Sequence, residues 1–199
     1  MERRAFLNAS AGLGLAIAGG GVLLGACTTT RDSASDTPSD RAARRREIDT
    51  GVDATLNRLY SSVNGSRELG SRARGILVFP RTLSAGFFIG GEYGDGALRV
   101  GNQNRGYYRT VSGSLGWQIG AQSKAIILMF MTQEALDKFI ASDGWQAGVD
   151  ATVAVAKVGA NGVLDTNTIK QPVVGFALTN AGLMAGLSLE GTKITKLNL

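Results

Sequence analysis

The sequence predicts an α+β fold: a strongly coiled antiparallel β-sheet, curving toward a barrel, with an N-terminal amphipathic helix and a second helix near 132–141. Three observations carry this. Apolar and aromatic runs cut by glycine at short intervals fill the stretch from Gly75 to Phe130, the pattern of strands joined by tight turns. Glycine also recurs inside those runs, where it marks bulges, bends or close backbone approach and favours a coiled sheet over a flat one. Upstream, apolar residues at Ile48, Val52, Leu56, Leu59, Tyr60 and Val63 recur at helical spacing on one face.

The 199 residues, 44% of them hydrophobic, suffice for one domain with a core and a tail. The tail comes first. Arginines at Arg3 and Arg4 precede a stretch without charge from Ala5 to Thr30, which runs through Leu23-Leu24-Gly25-Ala26-Cys27. These are the parts of a secretory signal. The ending resembles a bacterial lipobox, with Leu24 three residues before Cys27 and small residues between. The resemblance implies cleavage before Cys27, a diacylglycerol on its thiol and a fatty acyl chain such as palmitate on the new amine. Two or more acyl chains anchor stably, at ~0.8 kcal/mol per buried methylene. Arg3-Arg4-Ala5-Phe6-Leu7 resembles the twin-arginine export motif in part, with Glu2 and Asn8 departing from it, so the general secretory and twin-arginine routes both stay open. An uncleaved anchor is the other reading, since the uncharged stretch is long enough to span a bilayer. Thr28 after the cysteine points to an outer-membrane lipoprotein facing the periplasm, or exposed at the surface. The expected organisation is a signal over 1–26, a lipidated flexible tether over 27–40 and a folded domain over 41–199.

Within the domain, Ser39 or Asp40 is expected to cap the first helix, Gly51 to weaken it and Asn64-Gly65 to end it. Ser66 is expected to cap a short second helix with Leu69 and Ala73 inward, closed by Gly75. Pro80 is expected to end the first strand. Gly91, Gly94 and Gly96 are read as turn residues at positive φ. Thr132 caps the later helix, with Leu136, Phe139 and Ile140 inward. Asp143-Gly144 turns the chain. Val149–Val158, Val173–Leu178, Leu183–Leu189 and Lys193–Leu197 read as strands, with turns at Asn161-Gly162 and, as a hairpin, Glu190-Gly191.

Taken in order, several features resemble the SYLF domain, the lipid-binding or actin-bundling Ysc-type family. They are Gly75-Ile76-Leu77-Val78-Phe79-Pro80, Gly86 with Gly90-Gly91-Glu92-Tyr93-Gly94-Asp95-Gly96, Tyr107-Tyr108, and Gly116-Trp117-Gln118-Ile119-Gly120-Ala121-Gln122. Further on come Met131-Thr132 with Ala135, Leu136 and Phe139, Trp145 with Gly148-Val149-Asp150-Ala151, and Gly182-Leu183-Met184-Ala185-Gly186. The resemblance runs roughly from Ile48 to Leu199. It implies binding of phosphoinositides or other anionic phospholipids, carried by basic N-terminal residues and an amphipathic helix. The actin activity of eukaryotic members does not extend to an exported bacterial lipoprotein.

Charge agrees with that implication. From Arg41 to Arg109 there are twelve Arg, no Lys and six acids; from Thr110 to Leu199 six Lys meet six acids. The candidate headgroup-binding residues are therefore Arg41, Arg44, Arg45, Arg46, Arg58, Arg67, Arg72 and Arg74. Juxtamembrane basic residues can each gain ~1 kcal/mol at anionic lipid. With no histidine and one cysteine, Ser-His-Asp, Cys-His and histidine-containing zinc arrangements are excluded. The glycine-rich segments match neither a dinucleotide fingerprint nor a P-loop. Glu92, Asp95, Asp143, Asp150 and Asp165 read as turn caps, and Tyr107, Tyr108, Trp117 and Trp145 as core or hairpin residues. The expected partner is an anionic phospholipid membrane, not nucleic acid, with no catalytic residue, metal or cofactor. The alternatives are a structural or adhesive envelope lipoprotein with incidental lipid binding, and a hydrolase using acids of the glycine-rich region.

Overall fold

The computed structural model describes residues 37–85, 89–101, 103–115, 123–156, 164–165, 170–184 and 188–199. The expected signal, Cys27, most of the tether, Trp117 and the Asn161-Gly162 turn lie outside the described residues. No helix among the described residues is long and apolar enough to cross a membrane.

The first helix, α1, spans Pro38–Ser62. It begins inside the segment expected to be tether, and Thr37 rather than Ser39 or Asp40 is its cap. Asp40 N donates to the Thr37 hydroxyl oxygen at 3.2 Å, and Thr37 N donates to the Asp40 carboxylate at 3.1 Å. The reciprocal pair needs its acid three residues after the cap, and Pro38 fits the first helical position. Ile48, Val52, Leu59 and Val63 are buried, with Leu56 and Tyr60 packed beside them, as the spacing requires. Gly51 has a packing reason beyond its propensity: a Cβ there would meet the Pro80 ring at 2.9 Å. The second helix, α2, covers Ser66–Arg72. Gly65, at φ 81°, is its cap residue, and Ser66 is its first residue instead. The Ser66 hydroxyl donates back to the carbonyls of Val63 (2.6 Å) and Leu59 (3.1 Å), fastening α2 to the end of α1.

The strands are β1 (Gly75–Ala85), β2 (Ile89–Val100), β3 (Gln103–Leu115), β4 (Ser123–Phe130), β5 (Trp145–Gln146), β6 (Val153–Val155), β7 (Val173–Thr179), β8 (Gly182–Leu183) and β9 (Lys193–Leu197); helix α3 (Gln133–Ala141) follows β4. They form one curled, open sheet in the order β5-β9-β3-β2-β1-β4-β7-β6, with β8 added to β7. Among the described residues every strand pair is antiparallel except β6 with β7, so the sheet is mixed.

Proline does not end β1. The strand is central, between β2 and β4, and runs through Pro80 because the register slips by a residue on both sides, between Val78 and Arg81 and between Phe79 and Thr82. A bulge removes the missing N–H from the ladder. Gly91, Gly94 and Gly96 likewise lie inside β2, not in turns, and none has positive φ. Gly96 lies across from the bulge, and a Cβ there would run into the Val78 carbonyl oxygen. Close backbone approach explains this glycine.

The two faces of the sheet carry separate cores, as strand alternation demands. On one, Val78, Ala97, Ile127, Met129, Val174 and Phe176 pack under α1 and α2. On the other, Leu77, Phe79, Leu98, Leu128 and Phe130 pack with Leu136 and Phe139 of α3 and with Trp145. Phe139 stands 4.9 Å from the rings of Tyr108 and Phe130, centroid to centroid. Thr132 caps α3 as expected, but Ile140 is exposed, because the helix offers only Leu136 and Phe139 to the sheet. Of the Val149–Val158 run the described residues end at 156, and among them only Val153–Val155 is strand; residues 148–150 turn, and Val149 is exposed. The strand expected from Leu183 is described only over Gly182–Leu183. Gly191 turns the chain at φ 79°, yet β9 then pairs with β3 and β5 instead of closing a hairpin.

Candidate functional site

The eight candidate arginines fall into three groups. Arg44 and Arg45 face the fold. Arg44 pairs with Asp95 of β2, which Arg109 of β3 also holds at 2.8 Å. Burial alone would raise the Asp95 pKa, but hydrogen bonds and charge from Arg109 and Arg44 overcome it and hold the carboxyl below its ordinary value. The Arg45 guanidinium donates to the Leu199 carbonyl at 2.9 Å, in a recess that Arg41 also lines. Arg46 and Arg58 are exposed, but twelve positions apart they point about 120° apart around the helix axis. They do not form one stripe.

Arg58 belongs instead with the third group, at the corner where α1 passes into α2 and then β1. Arg58, Arg67, Arg72 and Arg74 are all exposed there. Arg67 lies over the Tyr60 ring, 4.8 Å from its centroid, a cation–π contact that leaves its N–H groups open to a ligand. Arg72 pairs with Glu68 one helical turn back; both side chains are 68% exposed, so the pair competes weakly with other anions.

A polar clasp between α1 and the sheet was not foreseen. Asp49 accepts from the Tyr107 hydroxyl and from Asn104, both at 2.9 Å. Arg99 reaches Asp49 at 3.3 Å and Asp53 at 3.2 Å. Burial first, then the Asp49 hydrogen bond and charge, push the Tyr107 phenol up to about 12. Asp95 and Glu92 are not turn caps: both sit in β2, and Glu92 forms a buried ion pair with Lys124 of β4 at 2.8 Å. These partners are far apart in sequence, and only the strand register brings them together. Tyr108 and Trp145 are core residues, as read.

Helices on both faces of a curled sheet, with exposed arginines near one helical corner, make a small α+β domain. Residues 111–198, from within β3 to β9, match the model of the family described as Ysc84, the Las17-binding protein actin regulator, which is the SYLF family. The family is one of lipid-related and actin-related binding. No curated protein matches the chain.

Proposed function

We propose that the chain is a lipoprotein acylated at Cys27, held at the periplasmic side of the outer membrane, where it binds anionic phospholipid without catalysis or cofactor. The observation that carries the lipid reading is the corner at which Arg58, Arg67, Arg72 and Arg74 are exposed together. The lipid-related binding of the family and the lipobox resemblance at Leu24-Gly25-Ala26-Cys27 support it. Arg41 and Arg46, exposed nearer the start of α1, add charge. Arg44 and Arg45 contribute mainly to holding α1.

The test uses the soluble form, cut before Thr28, in vesicle flotation. It binds phosphatidylglycerol or cardiolipin vesicles and binds phosphatidylcholine poorly. Binding falls as salt shortens the Debye length from ~10 Å at 0.1 M to ~3 Å at 1 M. Replacing Arg58, Arg67 and Arg72 together by Gln costs more than about tenfold in affinity, at ~1 kcal/mol per charge near an anionic surface. Replacing Lys170, Lys193 and Lys196, also exposed, changes little. Equal loss in both triple variants would remove the arginine corner from the reading. Equal flotation with neutral vesicles would favour a structural or adhesive role with incidental lipid contact. For the anchor, mass spectrometry of the membrane fraction finds a diacylglycerol adduct on Cys27, and Cys27→Ala leaves the precursor uncleaved; a free thiol on the mature chain refutes acylation.

A further inference from the structure

A groove of about 620 Å³ opens where α1 and α2 meet the start of β1 and the turn after β2. Leu56 and Tyr60 are apolar parts of its lining, and Arg67, Arg99, Ser71 and Asp53 are polar parts. The Arg67 guanidinium lies over the Tyr60 ring, so these two share one side. The two guanidiniums differ from the other arginines of this face. Arg67 is positioned by the Tyr60 ring and takes no hydrogen bond or ion pair among the described residues. The Arg99 Nη2 is fixed by Asp49 and Asp53, while its Nε–H is buried with no acceptor. A buried donor without an acceptor is rare in folded proteins. Two guanidinium groups lining one concave surface match a phosphate oxygen better than any neutral acceptor.

We propose that this groove binds the phosphodiester of a phospholipid headgroup, with Arg67 and Arg99 donating to its oxygens and the glycerol backbone lying against Tyr60 and Leu56. The inference rests on the membrane-binding reading and deepens it: the exposed corner arginines attract the surface, and the groove holds one headgroup. The apolar part of the lining is what favours a lipid over a free phosphate. Asp53, whose Oδ1 is held by Arg99, is a lining acceptor that suits a headgroup also offering a hydroxyl donor, as phosphatidylglycerol does. Arg99 was absent from the sequence-derived candidates because nothing local distinguishes an arginine near a strand end.

The experiment titrates the full chain, purified in a neutral detergent, with dihexanoyl-phosphatidylglycerol by calorimetry. Parallel arms use glycerol 1-phosphate and inorganic phosphate. Arg67→Gln removes an exposed guanidinium without breaking an ion pair, and Ser71→Phe fills the groove while keeping every charge. Each is expected to bind the short-chain lipid roughly tenfold more weakly or worse, as loss of a charge-assisted hydrogen bond implies, with the melting temperature of Arg67→Gln unchanged. Equal affinity in folded Ser71→Phe and wild type overturns the groove assignment. Inorganic phosphate or glycerol 1-phosphate binding as tightly as the lipid overturns the lipid identity. A silent short-chain titration alongside unimpaired flotation of anionic vesicles by wild type and Ser71→Phe sinks the groove alone; failure of both assays in wild type sinks the membrane reading itself.

Discussion

Asp95 is held by two arginines at once. Its carboxylate lies between Arg44 of α1 and Arg109 of β3, and its side chain is only 20% exposed. Because its native pKa is depressed below the ordinary 3.8, its contribution is fully present above that pH and is lost as pH falls through the native value. Asp95→Asn should cost on the order of 1–2 kcal/mol at pH 7, a figure discounted for the partial exposure of both arginines. The deficit should shrink in melts below pH 4; a deficit constant with pH would mean that the side chain acts through packing. The glycines of β2 divide by space in the same way. Gly96→Ala must displace the Val78 carbonyl and should cost ~2–3 kcal/mol. Gly91 has nothing within 4 Å of a Cβ and no positive φ, so Gly91→Ala should be neutral or slightly stabilising, ~0.5 kcal/mol. Denaturant melts of the two variants compare them directly; equal losses would argue against the close-approach account. Glycine density inside the strand was legible in the sequence. Which glycine faces a carbonyl was not, because that depends on the bulge across the ladder.

Helix α1 joins a part readable from sequence to a part that was not. Its apolar stripe from Ile48 to Val63 follows from the 3.6-residue period, and the buried set matches it. Its first turns offer the sheet no comparable stripe and are held by Arg44, Arg45 and the clasp around Asp49. No periodicity reports such contacts, since each joins residues that only the folded register brings together. The clasp has a basic limit. A phenol raised to about 12 stabilises the fold fully below its ordinary pKa of 10, and that contribution disappears as pH rises from 10 through 12. Tyr107→Phe should lower the melting temperature at pH 8 and delete one tyrosine that ionises near 12 in an ultraviolet titration. Retention of that ionisation would assign it to another tyrosine. Between β2 and β4 the buried Glu92–Lys124 pair leaves one Glu92 oxygen without a partner. Lys124→Met alone should cost ~3–5 kcal/mol, and adding Glu92→Leu should recover much of it. A double variant no better than the single would show that the pair organises the sheet end in some further way.

On the scale of the molecule, strand order was the least legible feature. Strand β9, last in the chain, pairs with β3, and β1 reaches β4 across long connections. The local pattern marks strands and turns but carries no information on which strand lies beside which. The layering that results has an electrostatic consequence. The arginine-rich helices α1 and α2 cover one face, while α3, with Glu134, Asp137 and Lys138, covers the other. The helical face thus carries seven of the twelve arginines of the positive half, the other five lying on or beside strands, and an anionic surface should meet that face alone. The soluble form cut before Thr28 lacks cysteine, so single labels can report orientation. Ser61→Cys, exposed at the end of α1, and Ala141→Cys, exposed at the end of α3, each carry an environment-sensitive dye. On adding phosphatidylglycerol vesicles the Ser61 label should shift to the blue and the Ala141 label should not. Raising salt from 0.1 to 1 M should reverse the Ser61 shift, as the screening length falls from ~10 to ~3 Å. A shift at both labels would mean that the domain has no preferred face. A shift at Ala141 alone would place the membrane against the α3 layer, and the exposed Ile140 would become the contact to examine.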